Sequence, residues 1–307
     1  MTGQGILGAL LIVGILAPQS AVARDEQVVL AATSAWVVDY AEDSCALRRQ
    51  FGGPETPVVL ELRQFEPDSV DFQFLVSSEH FRLNRNGFAD GVAVRYHPDS
   101  EFSDADLAFN LQQVGQRRGV TFSHSLFMRE QIDFTNGPQS LDNVAREAME
   151  RSFDVAGRAR RVTAIEIRNA FADDVVLQTG SLAAPLEALS NCMDELLLHW
   201  GVDAEAHRTL RQRPQPIDQP NWARRVQQAY PMSMAMRGEQ AVVRIRLDVS
   251  AEGRTTGCHT QARLGMEAFD QTACDILTDR ARFIPALDAN GNAIASFHML
   301  IIVYSIG

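Results

Sequence analysis

Seven histidines, four cysteines and two short polar constellations are the residues of this 307-residue chain that could do chemistry. His124 stands between Ser123 and Ser125 in TFSHSLF, the composition of a general base beside a nucleophilic hydroxyl. Neighbours on an extended strand point to opposite faces, however, so adjacency argues against a dyad and for a hydrogen-bonded strand histidine. Asp104 and Asp106, two apart in FSDADL, lack the further oxygen ligands and the glycine of a calcium loop and read as a helix cap or acidic turn. His259 beside Cys258 would begin a zinc site, but no HExxH pair and no Cys–His cluster completes it. No phosphate-cradling glycine loop or GxSxG elbow is present either. The chain is therefore expected to be no enzyme and to need no metal or cofactor, with cysteines that bridge rather than react.

Charge narrows the partners. The 28 basic residues are all Arg, against 39 acidic ones, and the net charge of -11 disfavours nucleic acid and anionic membrane surfaces. Residues 1–23 read as a secretory signal: an apolar run from Ile6 to Ala17 precedes QSAVA, where Ala21 and Ala23 have the small-x-small cleavage pattern. That run is shorter than the roughly 20 residues that span a bilayer, so no stable span is expected after cleavage. Retention as an anchor is the alternative. Export to an oxidising compartment, the periplasm, makes disulfides the expected state of an even set of cysteines.

The elements that must position these groups are clearest at the C-terminal end. Val243, Ile245, Leu247 and Val249 alternate with Arg244, Arg246 and Asp248, a period of two that buries one strand face. AEGR supplies a turn through Gly253, and Thr255 to Thr260 can return antiparallel. From Met266 to Arg280 the period changes: Phe269, Ala273, Ile276 and Leu277 make a helical stripe, leaving Glu267, Asp270, Asp275 and Asp279 largely for solvent. The last run, Ile294 to Ile306, is apolar on both faces and needs cover from the helix on one side and from something else on the other.

This stretch resembles the C-terminal domain of the energy transducer TonB. The resemblance rests on YP at Tyr230 and Pro231, VVRIRLDVSAEGR, FDQTACDIL, ARFIPA at Ala281 to Ala286, and DANGNAI, in matching order over the last quarter of the chain. It implies a small domain at 225–307 with a three-stranded antiparallel sheet and helix, which binds a receptor peptide by strand addition. The protein-binding residues it points to are Tyr230 and Pro231 at the domain entrance. The open edge expected of the terminal strand adds Ala295, Phe297, Met299, Ile301, Val303 and Tyr304.

Upstream, residues 24–206 alternate strand patterns (Val59 to Phe65, Val70 to Val76, Gly91 to Tyr96, Val162 to Arg168, Asp174 to Leu177) with two helices. One helix is expected from Leu141 to Phe153, capped by Ser140; the other carries the stripe Leu186, Leu189, Met193, Leu196 and Trp200. The overall class is α+β, a mixed domain of unknown function joined by a Pro-containing linker at 207–224 to the TonB-like domain. Of three formal cysteine pairings, Cys258 with Cys274 and Cys45 with Cys192 is favoured because each bridge stays within one domain; the first would contribute roughly 3 kcal/mol. Without a retained anchor or a long spacer, energy transduction is not expected. The functions left are a periplasmic TonB-like protein that pairs strands with an envelope protein or TonB-dependent receptor peptide, linked to outer-membrane transport, or a secreted structural or accessory protein, including a homodimer through the terminal sheet.

Overall fold

The computed structural model describes residues 27–304 except 56, 68, 81, 85–90, 99–100, 115–116, 127–153 and 265–266. The signal read at 1–23 and the helix read at Leu141 to Phe153 lie outside the described residues.

In the first domain the strands are β1 Val28–Ala31, β2 Val37–Ala41, β3 Ser44–Phe51, β4 Val58–Gln64, β5 Asp71–Ser78, β6 Ala93–His97, β7 Ser103–Asp104, β8 Asp106–Val114, β9 Arg117–Ser125, β10 Ala164–Arg168 and β11 Val175–Gln178. Helix α1 is Val155–Arg161 and α2 Ala183–His199. They form a six-stranded sheet in the order β2-β3-β4-β5-β9-β8 and a five-stranded sheet in the order β1-β11-β10-β6-β7. The first is antiparallel throughout; in the second β1 runs parallel to β11. Alternation explains the placement: Val58, Leu60 and Leu62 of β4 and Ile165 and Ile167 of β10 are buried, and both sheets share one core with Leu189, Met193 and Leu196 of α2. The Cys45–Cys192 bridge ties β3 to α2 inside that core.

The terminal domain contains α4 Gln219–Gln228, α5 Met232–Arg237, β13 Ala241–Val249, β14 Thr255–Leu264, α6 Ala268–Arg280, β15 Arg282–Ile284, β16 Ala286–Leu287, β17 Ala293–Ile294 and β18 Ser296–Tyr304; α3 Ala204–Arg208 and β12 Gln215–Ile217 precede it. Its main sheet is β14-β13-β18, antiparallel on both sides. Phe269, Ala273 and Leu277 of α6 close over Val243, Ile245 and Leu247, which is the expected helix-on-sheet core. Cys258–Cys274 staples β14 to α6. Asp270 is not left to solvent: it is buried and takes a short hydrogen bond from Arg263 of β14. Gly253 turns β13 into β14 at φ +76, and an added Cβ there would lie 1.9 Å from the Phe283 carbonyl. Only glycine fits that close approach.

Residues 207–224 do not form a free linker. Arg211 donates to the Leu287 carbonyl at 2.9 Å, Leu287 returns a bond to Gln212 at 2.9 Å, and β12 then pairs antiparallel with β15. From Gln219 onward the stretch is α4, whose Trp222 and Val226 enter the terminal core. Prolines need not prevent pairing on an edge strand, so Pro214 and Pro216 mark a bound strap rather than a tether.

Candidate functional site

The two sides of β18 meet different surroundings. On one side Ile302 and Tyr304 are buried in the core beneath α6 and Leu300 packs against it, while His298 meets Phe283 of β15 at 5.0 Å. The odd-numbered residues turn toward the first domain, which supplies the second cover required by the apolar pattern. Phe297 is buried with Leu197 and Ala204, and Met299 packs against that group together with Trp200 and Val202. Trp200 meets Phe297 edge-on at 5.4 Å, while His207 stacks on the Phe297 ring at 5.1 Å and 18°. Beyond that cover Ile301 and Val303 emerge, 39% and 46% exposed.

The seam continues across β13. Arg246, 4% exposed, lies 4.1 Å from the Trp200 ring centroid, and Arg244 lies 4.7 Å from that of Phe65. Gln261 donates to the carbonyls of Asp43 and Phe65 at 3.1 and 3.2 Å. Burial lowers the Arg246 pKa, an effect only partly offset by Asp248 and Asp43, and burial likewise raises that of Asp43. The carboxylates, at 3.7 and 3.6 Å, stand beyond hydrogen-bond length, and the ring face of Trp200 at 4.1 Å adds a further support for the cation. The seam thus sets the sheet's orientation while leaving the strand edge open.

Among the described residues no strand pairs with the outer edge of β18. The opposite edge, β14, is protected in the usual ways: two register irregularities interrupt its pairing with β13, Cys258 bridges to α6, and Arg263 and His259 place charge and polarity on it. By contrast β18 keeps an unbroken register with β13 from Ala241↔Tyr304 to Val249↔Ser296. A long, regular, partly apolar edge with no gatekeeper is a template for another strand.

The residues singled out in the sequence divide accordingly. Ile301 and Val303 stand at the surface, Ala295 is exposed just before β18, and Phe297 and Met299 serve the seam. Tyr304 packs with Phe269 and Tyr230 in an aromatic cluster at 4.8 and 5.5 Å. The Tyr230 hydroxyl is also taken up by a short bond to the Glu239 carbonyl, and Pro231 caps α5. Periodicity could not separate these roles, because the first domain's cover lies far away in sequence.

His124 has different partners from the adjacent serines. Its Nδ1 is 2.9 Å from the Tyr96 hydroxyl and its Nε2 2.8 Å from Ser103 Oγ, joining β9 to the other sheet. Burial pushes its pKa down to about 4, and a neutral phenol stands where a triad would have a carboxylate. Both features disfavour the imidazolium that a base must form, so the group is a structural tie. Glu166, buried on β10, accepts from Arg95 at 2.9 Å and lies 2.8 Å from His97; burial raises its pKa, but these bonds outweigh it and hold the carboxylate low. Among the described residues no cluster of His, Cys, Asp and Glu could hold a metal, and no helix is long and apolar enough to cross a membrane.

With that geometry in view, comparison defines the class of the terminal unit: it is a TonB-like C-terminal domain. Residues 226–306 match the family described as Gram-negative bacterial TonB protein C-terminal, a non-catalytic domain. The chain is also similar to the NMR solution structure of the Helicobacter pylori TonB C-terminal domain, residues 179–285. Identity is 13% over 35% of this chain and 86% of that one, at a TM-score of 0.21, a superposition too loose to define shared geometry. No curated protein matches.

Proposed function

We propose that this is an exported periplasmic protein whose TonB-like domain captures an extended segment of an envelope protein, such as a TonB-dependent receptor peptide in outer-membrane transport. The incoming strand adds to the outer edge of β18. Its backbone supplies affinity through ladder hydrogen bonds, and Ile301 and Val303 select apolar side chains on the exposed face. The observation that carries this reading is the unpaired, unbroken edge of β18 in a sheet whose other edge is blunted. The domain organisation fits a binding protein: the first domain holds the sheet through Trp200 and Phe65. Calorimetry of the full chain with a synthetic TonB-box peptide tests it. Saturable binding is expected, with at least tenfold weakening in Ile301→Lys, since a lysine at an edge opposes pairing. Absence of binding, or an unchanged affinity in the variant, would sink the proposal.

A further inference from the structure

The outer edge of β18 carries no paired strand, but its two halves are not equally approachable. A strand added to an edge lies about 4.8 Å from it, and its side chains stand alternately above and below the sheet, beside those already there. An incoming segment therefore needs room on both faces as well as free backbone groups.

The start of β18 lacks that room. On one face Phe297 is enclosed by Leu197, Ala204 and the rings of Trp200 and His207, and Met299 packs against Trp200 and Val202. On the opposite face His298 meets Phe283 and is hydrogen-bonded to the carbonyl of the buried Pro214. His207 and Pro214 thus grip opposite faces of one strand, although only residues 208–213 separate them in the chain. β13 fills the inner side of β18 along its whole length, so that short stretch passes round the outer side or the start of β18. Its route is fixed. Arg211 and Gln212 are bonded to Leu287, on the hairpin that leads into β18, and Arg213 pairs with Glu66 of the first domain at 2.7 Å. Beyond Met299 the cover ends: Ile301 and Val303 are exposed, while Ile302 and Tyr304 are bedded in the core on the other face.

We propose that α3 and the strap form an end stop that confines strand capture to residues 300–304. The partner this ledge fits is a short extended segment, roughly five residues long, with apolar side chains at alternate positions to stand beside Ile301 and Val303. The first domain thereby sets where a captured strand begins. This inference rests on the strand-capture reading of β18 and adds to it the length and register of what is captured.

Photo-crosslinking of the full chain with a synthetic TonB-box peptide tests it, with a photoreactive residue at Val303 or at Ala295, both of them exposed. Val303 is expected to yield the peptide adduct, and Ala295 at least tenfold less. Comparable adducts from the two positions, or an adduct from Ala295 alone, would overturn the end stop while leaving strand capture standing. No adduct from either would remove strand capture and the end stop with it. Calorimetry gives a second readout: peptides of roughly five and roughly nine residues should bind within about threefold of each other, because the added residues find no edge to pair with. A gain of tenfold or more for the longer peptide would overturn the proposal. Thermal melting verifies that each labelled chain is folded.

Discussion

Moving from pH 7.5 to pH 5 should destabilise this protein, and His207 should account for a measurable share. The folded-state pKa is about 4 against an ordinary value of 6.5, so the unfolded chain binds the proton better. Stability is complete above pH 6.5 and is lost as pH falls toward 4. At pH 5 the linkage amounts to about 2 kcal/mol for this one residue. His124, also buried and with a pKa of about 4, adds a loss of the same sign. Asp43 and Asp106 act in opposition: burial raises their pKa values, so protonation in acid relieves a penalty. A single-residue comparison removes that complication. Urea unfolding of the parent and of His207→Phe, followed by tryptophan fluorescence at both pH values, should show the variant losing about 2 kcal/mol less between them. An identical loss in the two proteins would refute the reasoning, because it would mean that His207 is not held neutral by its burial.

Three other outcomes follow from the packing. Under the loop-entropy estimate, removing Cys258–Cys274, which closes 16 residues, should cost about 3 kcal/mol, and removing Cys45–Cys192, which closes 147, about 5; urea unfolding of the Cys→Ala pairs measures both. Arg246→Met should leave stability within about 1 kcal/mol of the parent or raise it, since a desolvated cation with loose carboxylate partners is replaced by an apolar side chain against Trp200. Gly253→Ala should lower stability by more than about 1 kcal/mol in thermal melts, because φ +76 and the Phe283 carbonyl both exclude a Cβ.

Much of the terminal domain is legible in the sequence because its signals are local. Alternation at Val243, Ile245, Leu247 and Val249 gives β13, the stripe through Phe269, Ala273 and Leu277 gives α6, and the two-faced apolar run before Tyr304 already requires a second cover. What provides that cover is not legible, since Trp200 and Leu197 lie about a hundred residues from Phe297 and belong to another element pattern. Pro214 and Pro216 read as a linker because a missing amide suits an extended tether, but it suits an edge strand equally, and only the pairing partner at 282–284 decides between them. His207 is hidden more deeply still: in the sequence it is one of seven scattered histidines, and its burial against Phe297 comes from a strand ninety residues away.

The central claim concerns the edge of β18, and photo-crosslinking there is its most direct test. A photoreactive residue placed at Val303 in the full chain, expressed in its native envelope, should yield a discrete adduct with another envelope protein, lost when Ile301→Lys is added. Crosslinks only to a second copy of this chain, or none at all, would contradict the account.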